Sequence, residues 1–469
     1  MIRRNKDGRQ ARGAVLSCFV VLIWSLSAGH ASAQGFSVEP SPSVRTSLPD
    51  HWGFEARRQW LSERGVTFGG VATTEGHANI SGGIRRTTLV DGKFEGLLGI
   101  DFEKLAGWQG LTFFGNMFQT HGSGGVGRVL TGSLNTISNI EALPSTRLSE
   151  LWFEQKFWTG QFGIRAGQLT ADSEFFNSQY FTQFLSSDWP TIAKQNLPSG
   201  GPAYPFSTPG VRLRFDPTPE TSMLLAVFNG DPAGPGVGPA ELRNRHGLNF
   251  RVKDSPLVIG EWQYRYNQAP ESTALAGGIR IGAWYHFGRF DDLRFDNTGL
   301  SLADPLSSGV ARRFAGNQSV YAIFDQQLYR PPGGDANSGI AAFTRIGAAT
   351  SNRSINDFYL EGGIIANGMV PGRPLDSMGA VFLYSHMSNR ARGLDRDQML
   401  ILQRPFPLRD YELSIELMYS LTLVPGWTLQ PDFQYIAHPG GNIPDPSSGL
   451  ANTRIKDAKV FTLRSVIRY

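Results

Sequence analysis

Charged residues recur inside short runs whose apolar residues alternate, and their types set the chemistry the chain can offer. In LSELWFEQKF, Glu150 and Glu154 share a face with Trp152 and Lys156, while Leu151, Phe153 and Phe157 take the other. QFGIRAG sets Arg165 against Phe162, Ile164 and Ala166, and VRLRF sets Arg212 and Arg214 against Val211, Leu213 and Phe215. FEGLLGIDFE puts Glu95, Asp101 and Glu103 opposite Phe94, Leu98, Ile100 and Phe102. GGIRIGAWYHF puts Arg280, Trp284 and His286 opposite Ile279, Ile281, Ala283, Tyr285 and Phe287. YELSIELMY does the same with Glu412, Ser414 and Glu416. Each arginine brings five donors and each carboxylate up to four acceptor sites. Interleaved along one face, they can hold a polar solute weakly enough to release it. They can equally pair with one another across neighbouring strands.

Neither role needs a nucleophile, a metal or a cofactor, and none is expected. GSGGVG (122–127) matches G-x-G-x-x-G, but no helix-like stretch follows, so it reads as a flexible outer loop. There is no G-x-S-x-G elbow and no His-x-x-x-His, and the histidines are scattered. A Ser–His pair on a membrane-facing barrel would suffice for a lipase. That class would show hydrolysis or transfer on lipid, lost on a single Ser or His change.

MIRRNKDGRQARG is basic, AVLSCFVVLIWSLSA is apolar, and AGHASAQ supplies Ala31-Ser32-Ala33 before Gln34. That order reads as a secretory signal peptide over 1–33. The leader carries five basic residues against Asp7, so the 44 basic and 40 acidic residues become 39 of each. Net charge therefore gives no case for nucleic-acid binding. The single cysteine, Cys18, leaves with the leader, and disulfide and thiolate chemistry leave with it.

The roughly 436 remaining residues would ordinarily suggest several domains, yet no Pro/Ser-rich linker divides them after the first thirty. No apolar run approaches a membrane helix; MLLAVF (223–228) is among the longest. An exported chain of this kind can enter a membrane only as a closed barrel, since lipid leaves no partner for an unpaired backbone group. The last residues, KVFTLRSVIRY, show the pattern: Phe461, Leu463, Ser465, Ile467 and Tyr469 on one face; Thr462, Arg464, Val466 and Arg468 on the other. Alternation alone does not separate a soluble sandwich from a barrel. The leader, the missing cysteines and the aromatics at strand ends (Trp108, Phe157, Trp158, Trp427) favour the barrel.

Short links at 105–110, 158–161, 216–221 and 424–427 carry Gly or Pro turn chemistry. Long links fall around 121–145, 171–209, 231–245, 291–316, 389–410 and 440–456, the weave of a barrel with short periplasmic turns. A direct count gives seventeen strands, with one error between 255 and 355. Bacterial single-chain barrels have even numbers, so sixteen are expected over 65–469. Before them, 34–64 holds a short amphipathic helix in HWGFEARRQWLSERG, either a periplasmic plug or anchor or a lead-in to the first strand.

HWGFEARRQWLSERGVTF, DFEKLAGWQGLTF, NTISNIEALPSTRLSELWFEQKFW, FGIRAGQLTADSEFF, LPSGGPAYPFSTPGVRLRF, AVFNGDPAG, WYHFGRFDD, IFDQQLYR and LQPDFQYIAHPGG together resemble the carbohydrate-selective porin family, OprB. Each is weak alone; their number and order, from about residue 50 to the end, make the resemblance specific. It implies a sixteen-stranded outer-membrane barrel, surrounded by lipid, that passes glucose-like sugars. A sugar's hydroxyls would then meet Glu150, Glu154, Arg165, Arg212 and Arg214, with Asp101, Glu103 and Arg280 behind them. The loop 171–209 carries Phe175, Phe176, Tyr180, Phe181, Phe184 and Trp189. Folded inward, it would narrow the channel and offer stacking faces; folded outward, it would pack loop on loop. Tyr469 fits the aromatic end that barrel-insertion machinery reads. A homotrimer is common among porins, though no face is marked for contact. The competing function is a general porin with little preference among small hydrophilic solutes.

Overall fold

A computed structural model describes residues 36–47, 54–269, 272–403, 405–450 and 452–469. The expected signal peptide lies outside the described residues. Among the described residues, sixteen strands pair antiparallel with their sequence neighbours, and the last pairs with the first. The first eight are β1 (Val66–Gly83), β2 (Thr88–Asp101), β3 (Leu111–Gly122), β4 (Ser145–Phe157), β5 (Phe162–Leu169), β6 (Thr208–Thr218), β7 (Thr221–Asn229) and β8 (Pro256–Tyr266). The rest are β9 (Gly277–Asp296), β10 (Ala311–Tyr329), β11 (Gly339–Ala349), β12 (Asn356–Asn367), β13 (Ser377–Met387), β14 (Tyr411–Val424), β15 (Trp427–Ala437) and β16 (Lys456–Arg468). Closure runs from Val71↔Arg468 to Gly83↔Lys456, so no edge is left unpaired.

The alternation read from the sequence sorts inside from outside. Val211, Leu213, Phe215, Phe461 and Leu463 are exposed on the outer face; Arg212, Thr462 and Arg464 are buried inside. A barrel this wide does not fill itself with wall side chains. The inward residues are buried because loops fold in over them. Long strands β9 and β10 account for the miscount between 255 and 355: the link placed at 291–316 is only 297–310.

Short turns gather at the end that also holds both chain ends of the barrel. The turn between β14 and β15 closes on Gly426 at φ 85°, a backbone that favours glycine. Helix α1 (Phe54–Glu63) sits at this end. Its Arg58 lies over the rings of Phe68 (4.7 Å) and Tyr469 (5.3 Å). Tyr469 completes the β16 ladder by exchanging backbone bonds with Gly70 at 2.8 and 2.9 Å. Trp108, Phe157, Trp158 and Trp427 are exposed at the same end, where an aromatic girdle meets the membrane–water boundary.

Candidate functional site in the lumen

The loop between β5 and β6 turns into the barrel, and the wall holds its backbone with ionisable side chains. Glu261 on β8 accepts from Phe176 N–H at 3.0 Å. Asp325 on β10 takes Ser178 Oγ at 2.5 Å and Gln179 N–H at 3.3 Å. Glu416 on β14 takes Leu185 and Ser186 N–H at 2.6 and 3.0 Å. The loop between β3 and β4 is held likewise, with Leu134 and Asn135 N–H donating to Glu412 at 2.8 and 2.7 Å. A carboxylate removed from water needs such donors, and two N–H groups aimed at one carboxylate make a strong, directional tether.

A second cluster joins wall to loop by charge. Glu154 on β4 pairs with Arg165 on β5 at 3.1 Å and with Arg212 on β6 at 3.0 Å. The loop's Glu174 takes both forks of Arg212 at 2.7 Å and lies 3.5 Å from Arg165. Arg165 also stacks over Trp152, 3.8 Å from its ring centre.

Between the loop and the β1–β16 wall lies a cavity of about 400 Å³. Phe175, Phe176, Phe181 and Trp189 are almost wholly buried in its walls, and Lys93, Asn139, Asp172, Arg345, Arg464 and Arg468 supply polar groups. The arginine and lysine heads beside it are mostly spoken for: Lys93 by Glu95 at 2.9 Å, Arg345 by Glu361, Arg464 by Glu75. No group of side chains suited to a metal ion occurs among the described residues.

Residues 86–469 match the model of the family described as carbohydrate-selective porin, OprB family. This chain belongs to that family. It is 23% identical to Porin B of Pseudomonas aeruginosa over 461 residues, covering 93% of this chain and 96% of that one. Two structures of Pseudomonas putida OprB share the fold. The high-pH form has TM-score 0.74 at 18% identity, covering 89% of this chain and 97% of that chain. The low-pH form has TM-score 0.53 at 16% identity, covering 90% and 98%. The protein is an outer-membrane porin, and its family is one of channels rather than enzymes.

Of the residues the sequence nominated for this porin, Glu154, Arg165 and Arg212 come together as described. Arg212 is only 1% exposed and saturated by two carboxylates, so it braces the wall and cannot meet a solute. Glu150 sits at an irregularity in β4 and accepts from Thr170 N–H at 3.3 Å, steadying the loop's start. Arg280 pairs with Asp325 at 2.7 Å. Arg214 lies toward the short-turn end, on Asp216 at 2.9 Å. Asp101 and Glu103 lie at a turn. Strand β2 stops at Asp101, whose carboxylate caps helix α2 (Phe102–Ala106) through Glu103 and Lys104 N–H. Glu103 is therefore exposed on a turn, outside the lumen wall. The GSGGVG loop is not free: Ser123 and Gly124 bond Asp91 at 2.9 Å, and a single helical turn, Gly127–Thr131, follows.

The loop aromatics face the wall more than the water. Phe176 stacks on Tyr321 at 3.5 Å and meets Trp189 edge-on at 5.0 Å. Phe181 and Phe184 pack on Phe343 at 5.9 and 5.8 Å, in one cluster with Tyr180. The loop folds inward, but its ring faces are used as core. The sequence reading missed Glu174, Glu261, Asp325, Arg345 and Glu361. Around Arg345 the alternation was blurred because Phe343, also inward, is apolar beneath the loop. Glu412, Glu416 and Arg464 stood on polar faces and were visible there.

Proposed function

We propose that the barrel conducts sugars passively, with a preference for neutral, glucose-like rings over charged solutes of equal size. The observation that carries this is the pairing of three of the four cations that line the cavity, Arg468 being the fourth. Lys93, Arg345 and Arg464 each face a carboxylate of their own. Paired in this way they present N–H and C–O dipoles to the lumen with little net field. Hydroxyls can exchange with the exposed parts of such pairs, while an ion gains little unbalanced charge from these three. The cavity volume lies within the range of about 300–1,000 Å³ usual for small-molecule sites. The family's description as carbohydrate-selective points the same way.

The concentration gradient supplies the driving force. Tyr469 serves in this reading as the aromatic end that guides insertion into the membrane. Liposome swelling tests the preference, with sugars compared against amino acids and organic acids of similar size. Faster swelling with sugars is expected. Equal rates would make the protein a general diffusion porin.

A further inference from the structure

Two glycines on the inner wall of β1 and β2 do not face open water. A Cβ on Gly69 would stand 2.5 Å from Pro40 Cδ, and one on Gly99 would stand 2.8 Å from Val38 Cγ1. Real Cβ atoms do not approach that closely, so both positions are shaped around the chain segment preceding α1. Their neighbour Thr67, paired with Gly99, is also inward and accepts from Val38 N–H at 3.3 Å. Farther along, Phe36 meets Trp152 of β4 edge-to-face at 6.2 Å. At the other end, the backbone of Ser43 and Val44 lies against Gly426 in the β14–β15 turn.

Residues 36–44 therefore run from the rim, across the inner faces of β1 and β2, to β4. Ion pairs fasten the rim end. Glu39 holds Arg45 at 3.0 Å and Arg58 at 3.2 Å, and Arg45 bonds Glu55 at 3.0 Å. Phe36 packs on the same buried cluster as Phe175, Phe176 and Trp189 of the inward loop. The free path is thus narrowed from the short-turn end as well as by the loop.

We propose that residues 36–44 act as an internal strap that sets the pore's cross-section on the short-turn side, with Phe36 limiting the size of solute passing Trp152 and Arg165. This rests on the reading of the protein as a solute channel. The physical case is that apolar Phe36, Val38 and Pro40 occupy space that a hydrated lumen would give to water. The side-chain-free positions 69 and 99 are what let them lie flush. Expelling the strap should widen the pore without touching the ladder of strand hydrogen bonds.

The test is single-channel conductance of the full-length barrel in planar bilayers. Deletion of 36–42 removes the strap, and Gly69→Val pushes Pro40 off the wall while adding little volume. Both should raise conductance above wild type and admit an oligosaccharide that the wild type excludes. Conductance at or below wild type in the assembled variants would overturn the proposal; if the deletion fails to assemble, Gly69→Val decides. A Val38→Cys/Thr67→Cys pair, which puts no new Cβ on either glycine, should cross-link in the native barrel and keep wild-type conductance when oxidised. Absence of that cross-link would overturn the strap's placement whether or not the wild type conducts. A wild type that conducts nothing would count against the channel reading instead.

Discussion

Arg345 on β11 and Glu361 on β12 stand directly opposite in the ladder and join as a fork, with Nε 3.0–3.1 Å from both carboxylate oxygens and a second nitrogen at 2.5 Å. The remaining guanidinium donors reach out to the carbonyls of Phe176 and Asp188, at 2.8 and 3.3 Å, so one arginine ties two wall strands to the inward loop. Tyr359 completes the carboxylate's shell at 2.7 Å.

Removing that arginine leaves a buried carboxylate without its charge partner, a change that costs about 3–5 kcal/mol in comparable buried pairs. Arg345→Ala is therefore expected to lower the melting temperature of the detergent-solubilised barrel and to make the single-channel current noisier. Arg345→Lys should rescue little, since a point charge cannot reproduce the fork. Quiet, wild-type current from Arg345→Ala would show that the loop is held by its other contacts.

Arg165 is expected to bind solute and Arg212 to brace the wall. Arg165 keeps part of its surface in the lumen and shares its carboxylate, whereas Arg212 is enclosed by Glu154 and Glu174. Arg165→Ala should weaken sugar block of ion current, by roughly tenfold if one charged hydrogen bond is lost, with normal assembly. Arg212→Ala should instead lower barrel yield and thermal stability. Titration of the current with glucose and a heat-shift gel read the two outcomes.

Two loop carboxyls are expected to give the current a pH dependence. Burial pushes Glu141 up to about 7, against the pull of Lys194 and of Gly127 N–H. Burial also pushes Asp172 up to about 6, with Tyr204 N–H opposing at 2.7 Å. Both folded values lie above those of the unfolded chain, roughly 4. The contribution of the neutral forms is complete below that value and is lost as pH rises through 6 and then 7. Loop-linked current fluctuations should be rarer near pH 5 than near pH 8, and Glu141→Gln with Asp172→Asn should flatten the difference. An unchanged slope in the double variant would remove these groups as its source.

Deleting Tyr469 should slow assembly more than it destabilises the finished barrel. Its backbone adds only two bonds, to Gly70, at the end of a long ladder, and its ring is half exposed beneath Arg58. Folding yield in the presence of insertion machinery, compared with melting of the purified protein, checks this. Equal losses in both would make the residue a stability element alone.

The order and faces of most strands were fixed by period-two alternation, because lipid on one side and water on the other demand opposite residues at every step. The same pattern located Glu154, Arg165 and Arg280 on the inner wall. It stopped short wherever a loop covers the wall. There Phe343 points inward, and acids such as Glu416 meet loop amides instead of water. Whether the 171–209 loop enters the barrel, that Arg212 is a brace, and that residues 36–44 lie against Gly69 and Gly99 all depend on contacts between segments far apart in sequence. Alternation reports only which way a side chain points; what waits there is set by the closed barrel bringing distant chain together.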